Sequence, residues 1–199
     1  MTDTTTRRAL TRDHILPIPE YGKIRREQRQ KVSELKKRRR VEIGPFATFY
    51  FENYDTMWQQ VHEMLYVEKG GEEQIADELA AYNPMIPQGS ELVATVMLEI
   101  DDPARRATVL GRLGGIENHI FLEVDGERIA GNADPERENT SADGKASSVQ
   151  FVWFAFTAAQ VAHFKTAGAR IVVGFDHPNY AHMAVMPEPV RAALSEDFD

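Results

Sequence analysis

The sequence predicts an α+β fold: a largely antiparallel or mixed sheet, packed helices, and a basic helical arm at the N-terminal side. Three observations carry this. Short apolar runs rich in Val, Ile and Phe have strand length rather than helix length. Asp125-Gly126 between two such runs is a hairpin signal. Met57, Val61, Met64 and Leu65 recur at helical spacing between them.

In chain order, residues 1–9 read as a frayed tail and 10–199 as one domain, of which 10–43 form the basic arm packed on the body. Thr11 caps a short helix through Leu16, ended by Pro17 and Pro19. Glu20 to Val41 reads as a charged helix with a thin stripe at Ile24, Val32 and Leu35. Gly44-Pro45 breaks it, and the aromatic run Phe46 to Phe51 is a strand. Asn53 or Asp55 caps a helix over 54–68, Gly70-Gly71 ends it, and Glu72 to Tyr82 forms another. Glu91 to Ile100 is a strand, and Pro103 to Leu113 a helix closed by Gly114-Gly115. Ile120 to Val124 pairs back with Glu127 to Ala130, and 131–147 is a polar loop. Val149 to Phe156 reads as a strand covered on both faces. Thr157 caps a helix to Thr166, Ile171 to Phe175 and Ala181 to Val185 are strands, and Pro187 to Leu194 is a terminal helix.

Composition bounds the function. The 199 residues suffice for a core that buries roughly 70% of the unfolded surface. With no cysteine, the chain supplies no thiol nucleophile, disulfide or iron–sulfur cluster of its own. That absence, and the lack of an apolar leader or a membrane-length run, lead us to expect a cytoplasmic protein with no membrane partner. Net charge is −8, unevenly spread: residues 1–43 carry 13 Lys/Arg against 6 Asp/Glu, and residues 44–199 carry 10 against 25. The basic segment either folds onto its own acidic body or serves an anion or partner. The acidic body would repel a long polyanion, so nucleic acid is the weakest of these partners. Exposed sheet edges leave a homodimer as a further expectation.

Nucleotide-binding and hydrolase signatures are absent. His62-Glu63-Met64-Leu65-Tyr66 begins like a zinc-protease helix but has tyrosine where the second ligand must stand. Two constellations remain. Gln59 and Glu63 share a helix face, with His62 beside the apolar stripe and Glu52 just ahead. The run Asp176-His177-Pro178-Asn179-Tyr180-Ala181-His182 is dense in ligand types, but its histidines converge only if the Pro-Asn turn folds the chain back. His62, Glu63, His177 and His182 are therefore the candidates for an Fe, Mn or Zn site, and imidazole with carboxylate suits those metals. Arg25, Arg39, Arg40, Glu52, Gln59, Glu63 and Tyr180 are the candidates for binding an anion or other small ligand. No catalytic residue can be named.

Several segments taken together resemble one family. They are Glu20-Tyr21 with Ile24-Arg25, Lys37 to Val41 with Gly44-Pro45, and Phe51-Glu52-Asn53. Gln60 to Leu65 with Glu68, Ala81 to Pro87, Glu91 to Thr95, Asp176 to Tyr180 and Glu196-Asp197 complete the set. The chain, from about residue 10 to 198, resembles a bacterial family known only as a domain of unknown function, number 3501. The resemblance implies no activity. It implies an accessory role in peroxide- or iron-linked redox metabolism, beside rubrerythrin-like or iron–sulfur oxidoreductase proteins. Such partners would carry the redox centre. A metal-dependent enzyme with a His/Glu site is the alternative, and nucleic-acid binding by the arm a second one.

Overall fold

Among the described residues, nine strands divide between two antiparallel sheets, and two of the six helices cover the outer face of the first. The structure is a computed structural model that describes residues 7–199. The first six residues of the expected tail lie outside the described residues. Residues 7–10 run without regular structure, yet Arg8 donates to the Pro87 and Asp197 carbonyls, both at 2.9 Å, and pairs with Asp199. The Leu10 backbone exchanges hydrogen bonds with the Asn83 side chain. The described part of the expected tail is therefore a tethered strap.

The expected capped helix at Thr11 is one 3₁₀ turn, Arg12–His14. Helix α1 (Ile18–Lys37) follows, with Pro19 in its first turn, where a missing N–H costs nothing. It stops at Lys37, and β1 (Arg40–Ile43) then alternates exposed and buried residues. The helix expected to run to Val41 thus ends four residues earlier, and a strand not expected there follows it. A four-residue alternation is hidden by the Lys/Arg run that precedes it. Gly44, at φ +65°, turns β1 into β2 (Ala47–Phe51). A Cβ there would lie 2.7 Å from the His182 ring, so glycine is required twice over.

Helix α2 (Tyr54–Glu68) begins with a reciprocal cap: Asn53 Oδ1 accepts from Thr56 N at 3.0 Å, and Thr56 Oγ1 accepts from Asn53 N at 2.9 Å. Then come α3 (Gly71–Tyr82), β3 (Glu91–Leu98), α4 (Pro103–Leu110), β4 (Ile120–Val124) and β5 (Glu127–Ala130). Asp125 and Gly126 both have positive φ, as the β4–β5 hairpin demands. The polar stretch after it contributes a short strand, β6 (Asn132–Ala133), before β7 (Val149–Ala155). Helix α5 (Ala158–Lys165), β8 (Ile171–Phe175), β9 (Met183–Val185) and α6 (Glu188–Leu194) complete the chain.

The first sheet has order β1-β2-β3-β7-β6 and the second β5-β4-β8-β9. Period-two alternation sends Phe49, Leu92, Val96, Val152 and Phe154 inward to meet Leu122, Ile171, Val173 and Phe175 of the other sheet. Each such fully buried side chain contributes about 1.5–3 kcal/mol. On the opposite face of the first sheet, Val93, Phe151 and Trp153 pack with Met57, Val61 and Leu65 of α2 and Ile75 of α3. β7 is thus covered on both sides, as expected, by different layers.

Candidate functional site

The seam between α1 and α2 holds the first set of candidates. α1 lays Tyr21 and Arg25, one turn apart, along α2. Tyr21 donates to Glu63 Oε1 at 2.7 Å, and the Arg25 guanidinium grips both Glu63 oxygens at 2.8–3.2 Å while lying over the Tyr66 ring. Arg25 holds the Glu63 carboxyl below its usual range, and Tyr21 adds to that. Burial, then the Glu63 bond, pushes the Tyr21 phenol up. Glu63 and Arg25 are thereby spent on each other.

His62 lies beneath, 1% exposed. The Leu16 N–H donates to its Nε2 at 3.0 Å, so Nδ1 carries the proton and donates to the Trp58 carbonyl at 2.7 Å. Both ring nitrogens are used, and the ring packs 3.9 Å from Trp58 and 4.8 Å from Tyr21. Burial lowers its pKa. The neutral ring ties the segment just ahead of α1 to α2. Gln59, on the same helix, is half-buried.

Glu52 faces the outer side of the first sheet, where its Oε1 accepts from Thr95 at 2.8 Å and Oε2 has no partner among the described residues. Glu52 and Glu63 therefore have separate surroundings, the sheet for one and α1 for the other. Arg39, 3% exposed, donates to the Phe51 carbonyl at 2.9 Å and the Glu52 carbonyl at 3.1 Å and pairs with Asp197. It bolts the C-terminal turn to β2. Arg40 is exposed on β1, 3.6 Å from Glu42.

The Asp176–Tyr180 run is a staple between sheets. Its Pro-Asn turn does fold the chain back, with Tyr180 N bonded to His177 O at 2.8 Å. His177 Nδ1 accepts from Asn179 N at 3.2 Å, leaving Nε2–H to donate to Gly114 O at 3.2 Å. Asn179 donates to Arg112 O at 2.8 Å. The Tyr180 hydroxyl donates to Ile43 O at 2.6 Å and accepts from Ala47 N at 3.1 Å, clamping the β1–β2 turn. Asp176 accepts from Arg128 at 2.7 Å and sits 2.9 Å from His119 Nδ1. His182 is exposed, its ring against Tyr180.

The four candidate metal ligands are thus not brought together. His62 and Glu63 lie at the α1–α2 seam, His177 at the Gly114 loop and His182 beside the β1–β2 turn, and three of the four have their polar atoms engaged. Among the described residues, no group of three or more His, Asp or Glu is placed to hold a metal ion. Tyr180, expected at a ligand, is a clamp.

Two polar hollows each hold one residue of the expected ligand set, Arg25 in the first and Arg39 in the second. One is a shallow groove of about 500 Å³ on α1, lined by Arg25, Arg26, Arg29 and Tyr66 among others. The other, of about 440 Å³, lies where the strap, the end of α1, the start of α2 and the C-terminal turn meet. Arg7, Arg8, Arg38 and Arg39 line it with Tyr54, Asp55, Glu196 and Asp197. No local signal marks it, because its lining comes from five distant stretches, the Ile86-Pro87 segment included.

Compared with known proteins, the chain is similar to a crystal structure of a protein of unknown function from Burkholderia pseudomallei K96243. The two are 40% identical, with 96% of this chain and 100% of that one covered and a TM-score of 0.89. No curated protein matches the sequence. A family model, described as "Protein of unknown function (DUF3501)", matches residues 9–198. The chain belongs to that family.

Proposed function

We propose that the protein is an accessory, partner-binding protein whose helix α1 docks on an acidic surface of a redox protein that carries its own iron or flavin. One observation supports the reading above others. Arg26 and Arg29 stand exposed in the α1 groove and make no ion pair among the described residues. Their neighbour Arg25 is fixed and neutralised by Glu63, so the two free cations stand beside a rigid wall. The body beyond residue 43 is strongly acidic, which disfavours a long polyanion and leaves a compact acidic protein surface as the complementary partner. The family resemblance supplies the redox class of the partner. The cysteine-free chain leaves the cluster to the partner.

The test is binding to a purified rubrerythrin-like protein from the same organism, followed by titration calorimetry from 50 to 300 mM salt. Affinity should fall with salt, and the double change Arg26→Glu with Arg29→Glu should abolish it while thermal stability is kept. Salt-independent binding, or binding untouched by the double change, would overturn the docking face. An iron- or flavin-free protein captured through those same arginines, with no binding to the redox protein, would overturn the redox assignment.

A further inference from the structure

The cavity at the C-terminal turn has the makings of a small-molecule site. Its volume of about 440 Å³ lies within the range of ligand pockets. Its floor is apolar, with Ile86 2% exposed and Pro87 buried beside the half-buried Leu35. Its fixed charges are already matched: Arg39 pairs with Asp197, and Arg8 with Asp199.

What is left over is informative. Two exposed cations, Arg7 and Arg38, and two exposed carboxylates, Asp55 and Glu196, line the same hollow. None of the four forms an ion pair among the described residues. Tyr54, only 8% exposed, lines the wall, and its hydroxyl has no hydrogen-bond partner among the described residues. Such a buried group costs free energy unless something binds it. Burial keeps the phenol protonated, although Arg7 opposes that, so at neutral pH it is a donor awaiting an acceptor.

A simple polyanion fits poorly, since the rim carboxylates would repel it. A ligand carrying both charges and an apolar part fits every leftover group. We propose that this cavity binds a small amphoteric molecule of the α-amino-acid class with an apolar side chain. Its carboxylate is met by Arg7, Arg38 and the Tyr54 hydroxyl, its ammonium by Asp55 and Glu196, and its side chain by the apolar floor. The site is separate from the α1 groove, so either reading can fail alone.

The experiment uses the full chain with L-leucine, acetate, n-butylamine and inorganic phosphate as probes, in thermal-shift and calorimetric titrations. L-leucine should bind at least tenfold more tightly than acetate or n-butylamine, with phosphate weakest. Tyr54→Phe and Arg38→Ala should each weaken L-leucine about tenfold. Tyr54→Phe should leave the melting temperature of the free protein unchanged or higher, because the lost hydroxyl bonds nothing. That separates a ligand role from a structural one. No L-leucine binding up to 10 mM would overturn the proposal. So would phosphate binding in preference to L-leucine, or L-leucine binding indifferent to both variants.

Discussion

Protonating His62 should loosen the segment just ahead of α1 from α2. In the folded chain, Nε2 accepts from the Leu16 N–H, so a proton added there sets two donors against each other at 3.0 Å. The groups facing the ring are Trp58 on its own helix, Tyr21 of α1 and the Leu16 backbone, and the nearest carboxylate, Glu63, is bonded to Tyr21 and Arg25. Among the described residues, no counter-charge eases the imidazolium. Its folded pKa lies below the ordinary 6.5 because of burial, so the unfolded chain takes up the proton first. The stabilisation is complete above pH 6.5 and is lost as pH falls below it, until the folded-state pKa is passed. Within that window each pH unit removes up to about 1.4 kcal/mol. With a urea dependence of about 1–3 kcal/mol/M, the midpoint should fall by about 0.5–1.4 M per unit. Asp197, whose carboxyl burial pushes up against the pull of Arg39, acts with the opposite sign. It is common to wild type and variant and drops out of their difference. The assay is urea unfolding from pH 7.5 to 5.0 for wild type and His62→Phe. The variant should be less stable at pH 7.5 and flatter with pH. Parallel curves for the two proteins between pH 6.5 and 5.0 would refute the reasoning.

Arg39→Met should destabilise by about 3–5 kcal/mol, since Asp197 and the Phe51 and Glu52 carbonyls lose a buried donor. Restoring part of the loss with Asp197→Asn in the same chain, by chemical denaturation, checks that the charge is responsible. Tyr180→Phe keeps the ring but strips the Ile43 carbonyl and Ala47 amide of their partner, at a cost of about 1–3 kcal/mol. Hydrogen exchange should then quicken first at the β1–β2 turn. Gly174→Ala would place a Cβ 2.7 Å from the His182 carbonyl and should cost about 1–3 kcal/mol, read as a lower melting temperature.

Local patterns were enough for most elements, because caps, glycine turns and alternation act within a few residues. The Asn53–Thr56 cap, the Asp125-Gly126 hairpin and the Thr157 cap are each where the residues put them. β1 was missed because Val41 and Ile43 offer only two inward positions after a dense cationic run. Their strand character comes from pairing with β2, which no four-residue window contains. The site residues were less legible for a related reason. His62, Glu63, His177 and Tyr180 look like chemistry by type, and only their partners make them structural. Those partners lie 42 residues away for the Tyr21–Glu63 bond and 137 for the Tyr180–Ile43 bond.

The sequence by itself determined the α+β class, the charge asymmetry, the absence of thiol chemistry and the family, because these follow from composition and short-range pattern. The tertiary structure alone decided which polar groups were consumed and which were left over. A side chain's availability depends on its neighbours in space: packing neutralised Arg25, Arg39 and His62 and left Arg26, Arg29, Arg38 and the Tyr54 hydroxyl without partners among the described residues.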